Sequence, residues 1–362
     1  MGESDVVNPW LTNGRNNFRT IEDVVAAAVE PGMSDKEKAI ALWYQEITHR
    51  FHFTTGDSEV KTPVKVFNVY GYNTCGDDSN CMAGLWRRAG LQVRPARLMG
   101  HCITQVFYDG RWHLLDGDMH SIYLLRDNET IAGEQELVRD HDLIKRSHTH
   151  GILSADRRAT DEWEAALYIY EGDAGGDRDC VGSHTMDMVL RPGEALTWRW
   201  GHLDPVKYHG STHINRQVRT GWQGKICNGL WEYRPDFSKD IWRRGADAVE
   251  GIEATDDGLA PEAGTTGTIV WTMRSPYVFV GGRLEVEGTG AGFALSWDGE
   301  TWQEVEEDLD SLFPPAGPAR YQYHLRCRLS AGGRLTRLGI VNDVQMAPLS
   351  LPGMVVGENA FV

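Results

Sequence analysis

The sequence predicts an α+β protein in which a mixed helix-and-strand domain is followed by β-sandwich domains. Residues 18–50 carry apolar residues at helical spacing, and Ser34 followed three residues later by Glu37 is a capping-box signal for the second helix. After about residue 160, apolar and polar residues alternate between turns of Gly, Pro and Asp, from EWEAALYIYEG onward. This period-two pattern is typical of β-sandwiches.

Three domains are predicted, since a chain of 362 residues commonly holds two or three. Residues 1–155 form the mixed domain, 156–265 a β-rich middle domain, and 266–362 a C-terminal β-sandwich domain. The middle domain includes an irregular insertion at 204–258. The apolar ending of the chain suggests that the last domain is truncated here.

The charge and composition of the chain limit the classes of partner that it is expected to bind. The net charge of −16 argues against nucleic acid and anionic membrane surfaces, because phosphate groups repel such a chain. A run of 18 apolar residues is absent, so no transmembrane helix is predicted. The N-terminus lacks a signal-peptide core, although a removed leader leaves secretion or a periplasmic location open. The sequence leaves the oligomeric state and any disulfides undetermined.

Cys75 opens the run CGDDSNCMAGLWRRAG, which predicts an amphipathic helix ending near Gly90. Asn73 or Thr74 is the predicted cap. The unpaired N–H groups and partial positive charge of a helix N-terminus favour a thiolate, and the same N–H groups can face an oxyanion. The acids Asp77 and Asp78 oppose this effect if they face the sulfur, because negative charge raises a thiol pKa.

His101 opens the run HCITQVFYDGRWHLLDGD, which predicts a β-hairpin turning at Asp109-Gly110. Counting outward from the turn pairs residues 106–108 with 111–113. His101 and Asp116 then lie near the open end of the hairpin and share one face if their offset keeps the two-residue period. A thiol, an imidazole and a carboxylate in this arrangement are the groups that acyl transfer through a thioester requires.

At these residues the chain resembles the transglutaminase-like superfamily of papain-related cysteine enzymes, over roughly residues 30–125. Members carry a cysteine at the start of a helix ending in a pattern like LxRxxGIPAR, then HAWVEV, DGKW and VDPT. Here the corresponding runs are LWRRAGLQVR, HCITQV, YDGRW and LLDGD. Gly90 follows Cys75, and Asp116 follows His101, by fifteen residues each, as in the family.

The resemblance implies a transglutaminase-like fold for the first domain and a catalytic triad. Cys75 is the implied nucleophile, His101 the general base and acid, and Asp116 the group that orients His101. The implied substrates are peptide or protein amides, with no cofactor and no metal. Hydrolysis is favoured over transfer to an amine, since the sequence shows no lysine-rich surface or recognisable acceptor site.

Four further residues are predicted to contact substrate because they adjoin the triad in sequence. They are Tyr72, Asn73, Trp112 and His120. Aromatic residues on strands also commonly fill cores, so core packing is the competing interpretation for the aromatic members of this set.

A metal site is not expected. Cys81 and Cys102 with His113 and His120 offer zinc-binding donors, but the C-x5-C spacing from Cys75 to Cys81 does not match the short knuckles of structural zinc. Acidic residues near the triad lack the twelve-residue calcium loop with its closing glutamate.

Two alternative functions stay open. Histidines and tyrosines are of the types with which a polysaccharide lyase or hydrolase performs acid–base chemistry, and Arg94, Arg97 or the connector cations could bind a substrate carboxylate. The available histidines and tyrosines are His101, His113, His120, Tyr72 and Tyr123. Alternatively, the chain is a non-catalytic glycan-binding protein, with tryptophans such as Trp222, Trp231 and Trp242 stacking on sugars rather than filling a core. The basic connector RDHDLIKRSHTHG is interpreted as a solvated polar segment, or else as one wall of an anion-binding cleft.

Overall fold

The computed structural model describes residues 4–14, 17–55, 57, 60–147, 161–172, 182–210 and 226–361. It divides into two compact units. The α+β unit consists of Thr12–Thr185 and Leu349–Val362, and the β unit consists of Met1–Leu11 and Met186–Pro348. The predicted boundary at 155/156 lies outside the described residues, and the one at 265/266 falls within the β unit.

Helices and strands occur in both units, which agrees with the α+β class. The helices are α1 (Ile21–Ala26), α2 (Asp35–His49), α3 (Pro63–Lys65), a π-helix (Val66–Tyr70), α4 (Cys75–Arg88), α5 (Glu134–Arg139), α6 (Asp142–Ser147), α7 (Asp161–Ala165), α8 (Trp242–Gly245) and a 3-10 turn (Asp310–Leu312). The strands are β1 (Val6–Val7), β2 (Phe51–His52), β3 (Tyr72–Asn73), β4 (Gln92–Arg97), β5 (Cys102–Tyr108), β6 (Arg111–Asp116), β7 (Ser121–Ile122), β8 (Val189–Leu190), β9 (Glu194–Thr197), β10 (Cys227–Tyr233), β11 (Ala248–Glu250), β12 (Ile252–Thr255), β13 (Gly258–Pro261), β14 (Gly267–Arg274), β15 (Phe279–Ser296), β16 (Gln303–Val305) and β17 (Gln322–Met346). Among the described residues, none of the helices is both long enough and apolar enough to cross a membrane.

The start of α2 follows its sequence signal. Ser34 accepts a hydrogen bond from the Glu37 backbone N–H, and the Glu37 carboxylate accepts one from the Ser34 backbone N–H. This reciprocal box satisfies two N–H groups that the first turn would otherwise leave unpaired. The predicted capping box is therefore confirmed.

Two buried tryptophans join the elements of the α+β unit, one linking helix to helix and the other linking helix to sheet. The Trp86 indole of α4 donates to the Ala39 carbonyl of α2 at 3.1 Å, and the Trp43 indole of α2 donates to the Asp116 carbonyl at the end of β6 at 2.8 Å. The sheet is antiparallel in the order β4-β5-β6-β7. These two contacts hold the C-terminal half of α4 and the end of β6 against α2.

The β unit has a nine-stranded antiparallel sheet organised around β17. One half of β17 pairs with β14 and the other with β10, while β15 pairs along most of its length. Strands of the predicted middle and C-terminal domains therefore share one curled sheet. Buried residues recur at every second position in the first half of β17, from Tyr323 to Leu329, as a half-buried strand requires.

Two stretches differ from their predicted structure. EWEAALYIYEG was predicted to be a strand, but Asp161–Ala165 forms α7, and Tyr168 beyond it packs in the core of the α+β unit. The predicted irregular insertion at 204–258 contains β10, α8, β11 and β12 in its described part. Trp231 and Trp242 are 1% exposed there, so they fill the core, and Trp222 lies outside the described residues.

Candidate active site

Cys75 is the first residue of α4, as the sequence predicts, and it is half-buried. Thr74 is the N-cap, but its hydroxyl donates to the Asp77 carboxylate at 2.9 Å instead of capping the helix through its side chain. The thiol therefore lies where the backbone N–H groups of the first turn have no partner within the helix. This position favours negative charge on the sulfur.

His101 and Asp116 meet at the open end of the hairpin formed by β5 and β6. Val106 pairs with His113 and Tyr108 with Arg111, which confirms the predicted register. His101 precedes β5 rather than opening it. Its Nε2 lies 2.8 Å from Asp116 Oδ2, which leaves the other ring nitrogen, Nδ1, for the sulfur.

Asp116 is held from three directions. Its Oδ2 accepts from His101, its Oδ1 accepts from the Met119 backbone N–H at 2.8 Å, and its backbone carbonyl accepts from the Trp43 indole. The residue is 1% exposed. A carboxylate fixed in this way selects one orientation and one tautomer of the imidazole.

Cys75 and His101 interact directly. The hydrogen bond to His101 lowers the pKa of the Cys75 thiol, burial opposes that effect, and the backbone N–H of Cys102 lowers the pKa further. Burial alone would lower the pKa of His101, but Asp116 and Cys75 outweigh it and raise that pKa to about 11. Both changes favour a thiolate–imidazolium pair, which is the nucleophilic form of such a site.

A third charged group lies beside this pair. One carboxylate oxygen of Asp118, the sulfur of Cys75 and a ring nitrogen of His101 all lie within 4.8 Å of one another. Asp118 Oδ1 accepts from Arg50 Nη2 and from His52 Nδ1, each at 2.7 Å. Burial would raise the pKa of Asp118, but His52 and Arg50 together lower it to about 2, so this carboxyl group is ionised.

The sequence left open whether Asp77 and Asp78 of α4 face the sulfur, and in the structure both acids contact other groups. Asp77 binds Thr74, and Asp78 is buried with its Oδ1 3.6 Å from Arg50 Nε. Burial raises the pKa of Asp78 well above its usual value. A Cβ at Gly117 would lie 2.7 Å from Asp78 Oδ2, so the glycine allows the LDGD segment to close over this carboxyl group.

The predicted substrate contacts fall into two groups. Tyr72 and Asn73 have no exposed surface, and Tyr72 packs edge-on against Phe53, so both are packing residues beneath the site. Trp112 and His120 are half-buried. Trp112 carries the Arg94 guanidinium 4.5 Å above its ring, and a substrate contact by Trp112 or His120 stays a prediction.

His113 and Tyr123, two of the residues predicted for the lyase alternative, have other partners. His113 is 1% exposed, and its two ring nitrogens lie 2.6 Å from the Ile131 carbonyl and 3.2 Å from the Tyr108 carbonyl. The Tyr123 hydroxyl is buried and donates to Glu164. Tyr72, His113 and Tyr123 are therefore buried, whereas His101 belongs to the triad and His120 is half-buried, so the lyase alternative stays a prediction. In the connector, His141 binds the Tyr168 carbonyl, while His148 and His150 lie outside the described residues.

The four residues that the sequence offered as zinc ligands do not come together in the described part of the chain. The set of Cys81, Cys102, His113 and His120 forms no donor cluster in the described part of the chain, where the group that converges is Cys75, His101 and Asp118. Its three atom types, thiolate sulfur, imidazole nitrogen and carboxylate oxygen, are all zinc ligands.

Sequence reasoning missed Arg50 and His52 and gave Asp118 no role in the triad. The sequence offered one signal, the closeness of Asp118 to Asp116, which lies two residues before it at the end of β6. The basic residues of the run HRFHF gave no such indication, because nothing in the sequence shows that β2 lies beside the LDGD segment. A comparison with protein-family models finds no match for this chain, and a search of curated proteins finds none either.

Proposed function

We propose that the chain is a transglutaminase-like cysteine enzyme that cleaves an amide through a thioester on Cys75. The observation that carries this proposal is the series of contacts from sulfur to imidazole to carboxylate, formed by Cys75, His101 and Asp116. Thiol, base and orienting group in hydrogen-bonded series are the parts of a nucleophilic acyl-transfer site.

The first half-reaction forms the thioester. The Cys75 thiolate attacks the amide carbonyl carbon, and the oxygen that becomes negative faces the free N–H groups at the start of α4. His101, protonated in the resting pair, gives its proton to the leaving nitrogen as the C–N bond breaks. An amine or ammonia leaves, and the acyl group remains on the sulfur.

The second half-reaction releases the acyl group. With His101 now neutral, its free nitrogen takes a proton from water, and the hydroxide attacks the thioester carbonyl. The C–S bond breaks, the carboxylic acid departs, and the thiolate–imidazolium pair is restored. Asp116 holds the imidazole in one orientation through both steps.

The order of elements supports the transglutaminase-like assignment of the fold. The nucleophile opens a helix, α4, and the base and the orienting acid follow on two adjacent antiparallel strands, β5 and β6. We propose hydrolysis of peptide or protein amides over transfer, as the sequence favoured. The lyase and glycan-binding alternatives have no comparable arrangement among the described residues.

The proposed function predicts that activity depends on Cys75 and not on a metal. Peptides with backbone amides and with glutamine side chains are incubated with the protein in the presence of EDTA, and new amino groups and free ammonia are measured. Cys75→Ala should abolish turnover, whereas Cys102→Ala, a thiol that is likewise half-buried, should retain it. Turnover by Cys75→Ala, or turnover lost in EDTA and restored by zinc, would rule out the thiol mechanism.

A second prediction concerns pH. Iodoacetamide reacts with the thiolate, so its reaction rate at Cys75 should reach half-maximum below the ordinary thiol pKa of 9.0. His101→Gln removes the largest cause of the lowered pKa, so the midpoint should move upward. Asp118→Asn removes a charge that raises the thiol pKa, so the midpoint should move downward.

The reference for this measurement is the same thiol in protein unfolded by urea, read by mass spectrometry of the peptide containing Cys75. The folded and unfolded midpoints should differ, with the folded one lower. Equal midpoints, or shifts of the same sign in both variants, would contradict the electrostatic account of the site.

A further inference from the structure

The arrangement of Asp118 beside Cys75 and His101 gives the site a second chemical capacity. The three residues come from different parts of the α+β unit: the first turn of α4, the residue before β5 and the loop after β6. Their donor atoms lie within 4.8 Å of one another. Small side-chain rotations bring donors at this separation onto one ion, because zinc–ligand bonds are about 2.0–2.3 Å long.

Two of the three donors are also oriented by a neighbour on the other side. His101 Nε2 is bound to Asp116, so Nδ1 is the nitrogen directed to the cluster. Asp118 Oδ1 is bound to Arg50 and His52, and Oδ2 makes none of the hydrogen bonds found among the described residues. A carboxylate behind a histidine ligand and hydrogen bonds behind a carboxylate ligand are the supports that protein metal sites use.

We propose that Cys75, His101 and Asp118 bind one zinc ion reversibly and that the bound ion takes the nucleophile out of use. One sulfur, one nitrogen and one oxygen ligand suit zinc, which accepts all three in tetrahedral sites and leaves the fourth position for water. Calcium and magnesium are disfavoured because they require oxygen ligands. Binding is independent of the proposed function, whereas the inhibitory consequence rests on it.

The charges balance in this step. A thiolate, an imidazolium and a carboxylate carry −1 in total. Zinc binding releases the imidazolium proton to solvent and adds two positive charges, so the occupied cluster is neutral. The sulfur lone pair then forms the zinc–sulfur bond and is not available to attack a carbonyl carbon. Removal of zinc by a chelator restores the resting pair.

The test uses the full chain, freed of metal, with zinc alone as the ligand. A chromophoric zinc chelator competes for the ion, and cobalt serves as a spectroscopic substitute whose thiolate absorption reports a sulfur ligand. We expect one ion per chain. Cys75→Ser should weaken zinc binding at least about 100-fold and abolish the cobalt–thiolate absorption, and Asp118→Asn should weaken binding about 10- to 100-fold.

Matched controls separate this site from ordinary surface binding. Cys102→Ser removes another half-buried thiol, and Asp77→Asn removes an acid that binds Thr74. Neither should change zinc affinity more than about threefold. Absence of a stoichiometric site, or unchanged affinity in Cys75→Ser and Asp118→Asn, would overturn the proposal.

The binding measurement also separates this inference from the proposed function, since it needs no substrate. If the chain binds zinc but cleaves none of the amides, the metal site is supported and the proposed enzymatic function is refuted. If a hundredfold excess of zinc does not change the rate of amide cleavage, the proposed enzymatic function is supported and inhibition by zinc at this site is refuted.

Discussion

Asp116→Asn is expected to reduce amide cleavage about 10³- to 10⁴-fold while leaving the fold intact. Asp116 accepts from His101 Nε2, but an asparagine amide placed there can present its NH₂ group to the ring. That contact stabilises the tautomer protonated on Nδ1, the nitrogen that must serve the sulfur. The imidazole then cannot accept a proton at the reacting position, and Cys75 loses the partner that lowers its pKa.

Two readings check this expectation. The turnover of the best amide substrate should fall by the stated factor, and the pH midpoint for alkylation of Cys75 should rise. Circular dichroism and the urea unfolding midpoint show whether the fold persists. Asp77→Asn, an acid in the first turn of α4, is the matched control and should keep more than about half of the activity. Full activity in Asp116→Asn would remove Asp116 from the mechanism.

The part of the site that could be predicted from the sequence depends on local geometry. The tight turn at Asp109-Gly110 fixes the pairing of the flanking strands, and residue counting from it brings His101 and Asp116 together. The helix start at Cys75 likewise follows from the apolar spacing of α4, with Thr74 at the N-cap position although its side chain makes no capping hydrogen bond. Local rules of this kind need no knowledge of the rest of the molecule.

The contacts of Arg50 could not be predicted in this way because they join segments far apart in sequence. Its guanidinium donates to the carbonyls of Asn73 and Gly117 and to the Asp118 carboxylate, 23, 67 and 68 residues away. No periodic pattern encodes such a contact. It arises when β2 and β3 pair in parallel, a pairing of two residues per strand.

In the β unit, too, the sequence pattern predicted local structure but not contacts between distant segments. Alternation predicted β14, β15 and β17, and buried residues recur at every second position along β14 and the first half of β17. It did not predict which strands become neighbours, so β10 and β14 were assigned to separate domains although both pair with β17. For EWEAALYIYEG, the same alternation predicted a strand, but the segment begins within α7, and Leu167 and Tyr168 beyond that helix are buried without belonging to a strand.

Arg50→Met is expected to destabilise the α+β unit by about 3–5 kcal/mol, because it removes one partner of a buried ion pair. The Arg50 side chain has no exposed surface, and Asp118 is 6% exposed. Methionine fills much of the same volume, but it leaves the Asp118 carboxylate with His52 alone and removes the Arg50 hydrogen bond from the Gly117 carbonyl. The Asn73 carbonyl also loses Arg50, although it keeps the Phe53 backbone N–H as a donor. An uncompensated buried charge costs far more than an exposed one.

Urea unfolding at neutral pH, followed by fluorescence and circular dichroism, measures this loss. The matched control is Arg88→Met, whose ion pair with Glu22 is largely exposed and whose removal should cost about 0–1 kcal/mol. Combining Arg50→Met with Asp118→Asn removes the stranded charge, so the double variant should be more stable than Arg50→Met alone. Equal losses in Arg50→Met and Arg88→Met would show that the buried charges beside Cys75 are not held by Arg50.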